Sequence, residues 1–295
     1  YLERQGFVSS GFVWWDRDLA AIIAPSASGI IVLGSLYKLM QLSGGGRVVA
    51  RDLGGRAVDP STSDPLERRL LNVVEEMALA SGLPAPEVWV MDDEEGINAF
   101  AAGTDPSNAV IGVTRGCLER LNRSELQGVV AHEFSHILNG DMKLNMRLMG
   151  WIFGLVMIAM LGRMLLELLR HFRSSRDSKG ANPLLVVAVA GIALWAGGSV
   201  GAVFAKVHPA GVSRQREYQA DASAVQFTRN PMGLADALRK TGGFHRNGAL
   251  QTSKATEARH LFFVRSDLLS LGFTTHPPLE QRIKAIDPSW NGKMM

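Results

Sequence analysis

The chain has 295 residues, 46% hydrophobic and 20% charged, a balance that excludes a disordered protein and supplies enough apolar side chain for a large core. Its 31 Lys and Arg against 28 Asp and Glu leave a formal charge of +3, interspersed apart from one short basic stretch, so no nucleic-acid partner is expected. With one cysteine, Cys117, neither an internal disulfide nor a cysteine-based zinc site can form, and any metal must be held by histidine and carboxylate.

The first residue is Tyr1 and no basic leader with a cleavage site follows it, which reads as a fragment or a processed form. Residues 19–37 then run without a charge over about the 20 residues that cross a hydrocarbon core. Trp14 and Trp15 before this run and Lys38 after it suit a membrane boundary, whereas Pro25, Ser26 and Ser28 weaken it. A Gly44-Gly45-Gly46 linker leads to Asp64-Pro65-Leu66-Glu67, where Asp as N-cap, Pro at the first helical position and Glu as the closing half of a capping box predict a helix. Leu66, Leu70, Val73, Val74 and Met77 recur along it at helical spacing until Gly82 and Pro84.

Three short strands are predicted next, at 88–91, 98–101 and 109–114, separated by turns rich in Asp, Gly and Pro, and together they form a small sheet. Ser124-Glu125-Leu126-Gln127 reads as a second capping box and opens a helix that stops near Asn139-Gly140. Two long apolar runs follow, 148–169 and 184–205, the first with Arg163 and Glu167 four apart on one helical face. Only the stretch from Arg170 to Lys179, which includes His171, separates them, so they read as a helical hairpin crossing a membrane twice. Two crossings return the chain to its starting side. The expected organisation is therefore an N-terminal membrane segment (1–42), a first half of a polar domain (43–143), the hairpin (144–205) and a second half (206–295).

The chemistry concentrates on the helix before the hairpin. His132-Glu133-Phe134-Ser135-His136 is H-E-x-x-H: on a helix, positions 132 and 136 share a face one turn apart, so both imidazoles reach one tetrahedral zinc. Glu133, about 100° round the helix, is placed to act on a water beside the metal as general base. Catalytic zinc takes a third protein ligand, and the helix expected after the hairpin offers one. In Ser213-Arg214-Gln215-Arg216-Glu217-Tyr218-Gln219-Ala220-Asp221, Ser213 is a candidate cap. Glu217 and Asp221 point the same way, Glu217 to the metal and Asp221 to the far nitrogen of a ligating histidine. Spacing alone leaves this segment equally open to being a solvated charged face.

His132-Glu133-Phe134-Ser135-His136, followed after a hydrophobic hairpin by the segment from Ser213 to Asp221, resembles the HtpX family of membrane-bound zinc metalloproteases, related to the CAAX prenyl endopeptidases. Asn98-Ala99-Phe100-Ala101-Ala102-Gly103 and Thr275-His276-Pro277-Pro278-Leu279-Glu280-Gln281-Arg282-Ile283 are also similar to motifs of that family. The resemblance implies an α+β, mostly helical gluzincin-type protease domain with a small sheet and transmembrane helices. It implies one zinc per chain on His132, His136 and Glu217, with Glu133 catalytic and Asp221 behind a ligand. It further implies a multi-pass protein of the bacterial inner membrane with a cytoplasmic catalytic domain, acting on unfolded or membrane polypeptides. Two N-terminal spans would be usual where one is visible, which places the other upstream of Tyr1. Arg170, Arg173, Arg176 and Lys179 favour a cytoplasmic hairpin tip, and Lys143, Arg147, Lys206, Arg214 and Arg216 on the catalytic side offset them.

Several residues keep two readings. Asn98, Ala99 and Phe100 belong either to a sheet edge that binds substrate backbone by strand addition or to an ordinary core strand. His276 before Pro277-Pro278 is either an oxyanion donor or part of a rigid helix start, and His260 reads as a packing residue. Cys117 reads as buried filler and the basic loop as a topology signal that could also attract anionic lipid heads. Rival functions are a prenyl-protein endopeptidase, an intramembrane protease, against which Arg123, Glu125 and Gln127 speak, and a zinc-stabilised scaffold without turnover. Oligomeric state is not legible in the sequence.

Overall fold

The computed structural model describes residues 17–171, 183–207, 210–244 and 277–295. Trp14, Trp15, His260, Thr275, His276 and the hairpin-loop residues Arg173, Arg176 and Lys179 lie outside these segments.

The described residues open with α1 (Arg17–Leu42) and α2 (Gly46–Asp52). A two-residue strand β1 (Arg56–Ala57), too short to show periodicity in the sequence, leads to α3 (Pro65–Ser81). Asp64 caps α3 by accepting a hydrogen bond from the Leu66 amide at 2.8 Å, and Gly82 ends it in the left-handed region at φ 72°. The expected reciprocal half of the box is not made, because the Glu67 carboxylate turns instead to Thr62 and Arg56.

Strands β2 (Glu87–Met91), β3 (Ala99–Ala102) and β4 (Val110–Thr114) complete a four-stranded sheet in the order β1-β2-β4-β3. β2 and β4 are parallel and the other pairs antiparallel, and β3 is an outer strand. The three longer strands are buried on both faces, which explains why they read as nearly continuous apolar runs. Alternation then divides their side chains between two cores. Val88, Val90, Ala99, Ala101, Ile111 and Val113 enter the larger core. Trp89, Met91, Phe100, Ala102 and Val110 enter a second one with Val49 and Ala50 of α2, Leu42 at the end of α1, and Met146 and Met149. One face of the sheet thus seats the domain and the other seats the roots of the long apolar helices.

After α4 (Arg115–Arg120), α5 (Arg123–Leu138) runs through the middle of the larger core. Its N-cap is Asn122, which accepts from the Glu125 amide while Glu125 accepts from the Asn122 amide. The capping box therefore sits two residues earlier than the Ser124 box expected from the sequence. Both stretches fit the spacing, and the Ser124 hydroxyl merely supports the true cap by donating to Asn122. α5 is buried on almost every side, from Leu126 through Ser135. Gly128 lets it cross the start of α9 closely, since a Cβ there would meet the Leu234 backbone nitrogen at 2.7 Å and its Cα at 2.8 Å.

α6 (Asp141–His171) and α7 (Pro183–Val207) pack against each other, and α1 lies along α6. Among the described residues, the stretch Asp141–Leu169 is long and apolar enough to cross a membrane, and Val187–Val203 is a shorter apolar helix. Leu33 and Met40 on α1, Trp151, Met160 and Met164 on α6, and Ile192 and Val203 on α7 are exposed. These three neighbouring helices thus carry a large exposed apolar surface. Arg163 and Glu167 pair loosely at 3.9 Å.

The chain returns through α8 (Ala210–Thr228), α9 (Pro231–Phe244) and α10 (Leu279–Ile286). Because α8 begins at Ala210, Ser213 lies inside the helix and is not its cap, a correction to the sequence expectation. α8 and α9 pack on α5, and α10 packs on α8 and α9. Replacing Gly128 with Val should lower stability by about 1–3 kcal/mol, since the obstruction at the α5–α9 crossing is backbone and cannot rotate away. Denaturant unfolding of the purified chain measures this, and an unchanged midpoint would show that the crossing is looser than described.

Candidate metal centre

Three helices converge on one buried point. α5 contributes His132 and His136 one turn apart, and α8 contributes Glu217. His132 Nε2 and His136 Nε2 are 3.1 Å apart. Glu217 Oε2 is 3.5 Å from His132 Nε2, and Oε1 is 3.7 Å from His136 Nε2. Two ligand atoms each about 2.0–2.1 Å from a tetrahedral zinc stand about 3.3–3.4 Å apart, so the three distances surround a point that fits such an ion. The imidazole rings are nearly perpendicular, at 83°, which aims both Nε2 atoms inward without stacking.

The far nitrogens are also engaged. His132 Nδ1 faces Asp221 Oδ1 at 2.9 Å, and His136 Nδ1 faces Asp141 Oδ2 at 2.9 Å. A histidine that donates its Nδ1 proton to a carboxylate keeps the Nε2 lone pair for a metal. Asp221 in turn accepts two hydrogen bonds from Arg282 of α10, from Nη2 at 2.6 Å and Nε at 2.8 Å. Arg282 Nη1 also lies 3.7 Å from Glu217 Oε2, and the whole side chain is buried.

Charge adds a second test of fit. Three buried carboxylates, Glu133, Glu217 and Asp221, face one buried guanidinium, Arg282. With both imidazoles neutral, as ligation of a metal requires, the cluster carries a formal excess of two negative charges, the amount that a divalent cation cancels; without a metal, a proton on His132 offsets one of them. The pKa shifts follow this field. Burial disfavours the charged form of His132, yet hydrogen bonds to Asp221 and Glu217 outweigh it and raise the imidazole to about 9. For His136, burial and the neighbouring His132 charge act together and lower it. Burial would raise Asp221, but the charge and hydrogen bonds of Arg282 and then His132 hold it down at about 2.

Glu133 is buried one position after His132, and its charge is felt at His136 and at Arg282. Asn98, Ala99 and Phe100 are not among the three donors that face the metal point. Asn98 Oδ1 accepts from the Ala99 amide, its own amide donates to Thr114 Oγ1, and Phe100 fills the second core across from Gly112. Cys117 is buried in the larger core, and burial raises its pKa, so it is a closed thiol.

Arg282, Asp141 and Arg216 were not assigned to the site from the sequence. Arg282 lies within the Thr275–Ile283 motif, and its one local signal is a position beside the core residue Ile283 on a short amphipathic helix. Asp141 carried a clearer sign. It is an acidic residue five positions after His136, just past the Asn139-Gly140 stop and therefore at a helix start.

Residues 65–289 match the model of peptidase family M48. The HtpX protease homologue of Thermoanaerobacter pseudethanolicus is 36% identical over 276 residues, covering 88% of this chain and 84% of that protein. The homologue from Ligilactobacillus salivarius is 33% identical over 288 residues, covering 95% and 94%. The crystal structure of Ste24p from S. mikatae shares 16% identity at a TM-score of 0.48, over 90% of this chain and 58% of that one. The family match runs from α3 to α10 and includes all three converging side chains. The chain belongs to peptidase family M48 and is a membrane-bound metalloprotease that hydrolyses peptide bonds.

Proposed function

We propose that the chain is a zinc endopeptidase in which His132, His136 and Glu217 hold one zinc ion and Glu133 is the general base. The observation that carries this reading is the convergence of two Nε2 atoms and one carboxylate, 3.1 to 3.7 Å apart, inside a cluster with excess negative charge. Neutral nitrogen with carboxylate oxygen is the donor set of catalytic zinc, and three protein donors leave a position open. When bound, zinc supplies a Lewis acid that polarises the scissile carbonyl and makes water nucleophilic near neutral pH. Glu133 takes a proton from the attacking water and passes it to the leaving amine. Asp221 fixes the tautomer of His132, and Arg282 keeps Asp221 charged and correctly turned.

On this reading, residues 43–143 and 206–295 form one catalytic unit, residues 144–205 are a hairpin that crosses the bilayer twice, and residues 1–42 provide a further membrane segment. Its place is a bacterial inner membrane with the catalytic unit on the cytoplasmic side. The resemblance to the HtpX family and the exposed apolar faces of α1, α6 and α7 support this placement. Its substrates are unfolded or membrane polypeptides. The outer position of β3 supports extended binding, because a sheet edge reads backbone rather than side chains.

Detergent-purified wild type should cut a generic unfolded protein. Glu133→Gln should keep its zinc and lose about 10²–10⁴-fold in rate. A variant that cuts as fast as wild type would remove Glu133 from the chemistry, and zinc binding without cleavage by wild type would favour a non-catalytic scaffold. Arg282→Leu should destabilise the zinc-free chain by about 3–5 kcal/mol, because it strands Asp221 and Glu217 as buried charges. Denaturant unfolding measures that cost, and a change below about 1 kcal/mol would show that water already solvates the two carboxylates.

A further inference from the structure

α6 has a role at the site beyond membrane attachment. Its first residue, Asp141, is almost fully buried, which is unusual for an aspartate at a helix start, where helix-dipole stabilisation needs no burial. One carboxylate oxygen faces His136 Nδ1 at 2.9 Å, and the other accepts from Arg216 Nη1 of α8. Arg216 and Gln219 lie on neighbouring positions of α8, and Gln219 Nε2 reaches the Asn139 side-chain oxygen at 3.5 Å. Gly140, at φ 70°, provides the sharp turn that brings Asp141 back under the end of α5. The chain therefore leaves for the apolar hairpin at Asp141 and returns from it to Arg216, and the two ends meet behind one imidazole.

Resting on the metal assignment above, we propose that Asp141 is a positioning residue for that centre. It holds His136 in the tautomer and orientation that offer Nε2 to the metal, and Arg216 locks Asp141 in place. The ends of the hairpin are thereby part of the metal centre. Arg216 also neutralises Asp141, so this carboxylate orients a ligand without adding to the charge excess at the metal. A plain capping role for Asp141 makes a different prediction, because Asn caps a helix start as well as Asp does. Asn cannot accept from both His136 and Arg216, since one of its two terminal atoms is a donor.

The test uses the full chain in detergent, stripped of metal and titrated with zinc against a competing chelator. The visible spectrum of the cobalt-substituted protein provides a second readout. Asp141→Asn and Asp141→Ala should weaken zinc binding by about 10–100-fold and shift the cobalt ligand-field bands, and the metal-free Asp141→Asn protein should still unfold cooperatively. Arg216, part-exposed and so tolerant of replacement, gives an independent arm: Arg216→Ala should weaken zinc binding and Arg216→Lys should restore most of it. Zinc affinities of both Asp141 variants within about twofold of wild type, with unchanged cobalt spectra, would overturn the proposal. A wild type that binds no zinc would overturn the metal assignment itself, an outcome distinct from loss in the variants alone.

Discussion

Ionised groups out of reach of water must be paired, and that constraint organises this molecule. His132, Glu133, Glu217, Asp221 and Arg282 are all buried, and they come from three helices far apart in sequence. None of these helices could bury its charge alone. α8 reaches α5 through the Glu217 and Asp221 contacts with His132, and α10 reaches both through the two-pronged Arg282–Asp221 pair. The apolar surroundings that make such burial costly also strengthen every interaction inside, so the geometry that satisfies the charges is also the geometry that suits a divalent ion.

The sheet carries a related division of labour. Because its side chains alternate, one set of strands builds the face against α3 and α5, and the face that anchors α2 with the roots of α1 and α6. α5 and the roots of the long apolar helices are thus packed on opposite faces of the same sheet. A second link runs directly from α5 into α6 through Gly140 and Asp141, and Asp141 meets Arg216 of α8, so elements before and after the α6–α7 pair are in contact.

The parts of the fold set by local chemistry were legible in the residues. Asp64-Pro65 and Gly82 delimit α3 as their capping chemistry requires, and the apolar spacing of Leu70, Val73, Val74 and Met77 marks its buried face. His132 and His136 are brought together by one helical turn, a relation that needs no tertiary information. What could not be read depends on contacts across long stretches of chain. Arg282 meets Asp221 61 residues away, and nothing in the local pattern distinguishes it from a solvated arginine on an amphipathic helix. The sequence pattern points to Ser124 as the cap, whereas the packed structure places it at Asn122, where Glu125 of the true box also accepts from Lys240 at 2.8 Å. Strands buried on both faces showed no alternation, so their split between two cores was hidden even though the strands themselves were visible.

Zinc-edge X-ray absorption on the purified wild-type chain reads the ligand set of this centre without relying on turnover. Two imidazole nitrogens with only oxygen donors beside them, at about 2.0–2.1 Å, is the result expected for zinc on His132, His136 and Glu217. A sulfur scatterer at about 2.3 Å, or a third imidazole in place of the carboxylate, would contradict the assembly of the site from α5 and α8.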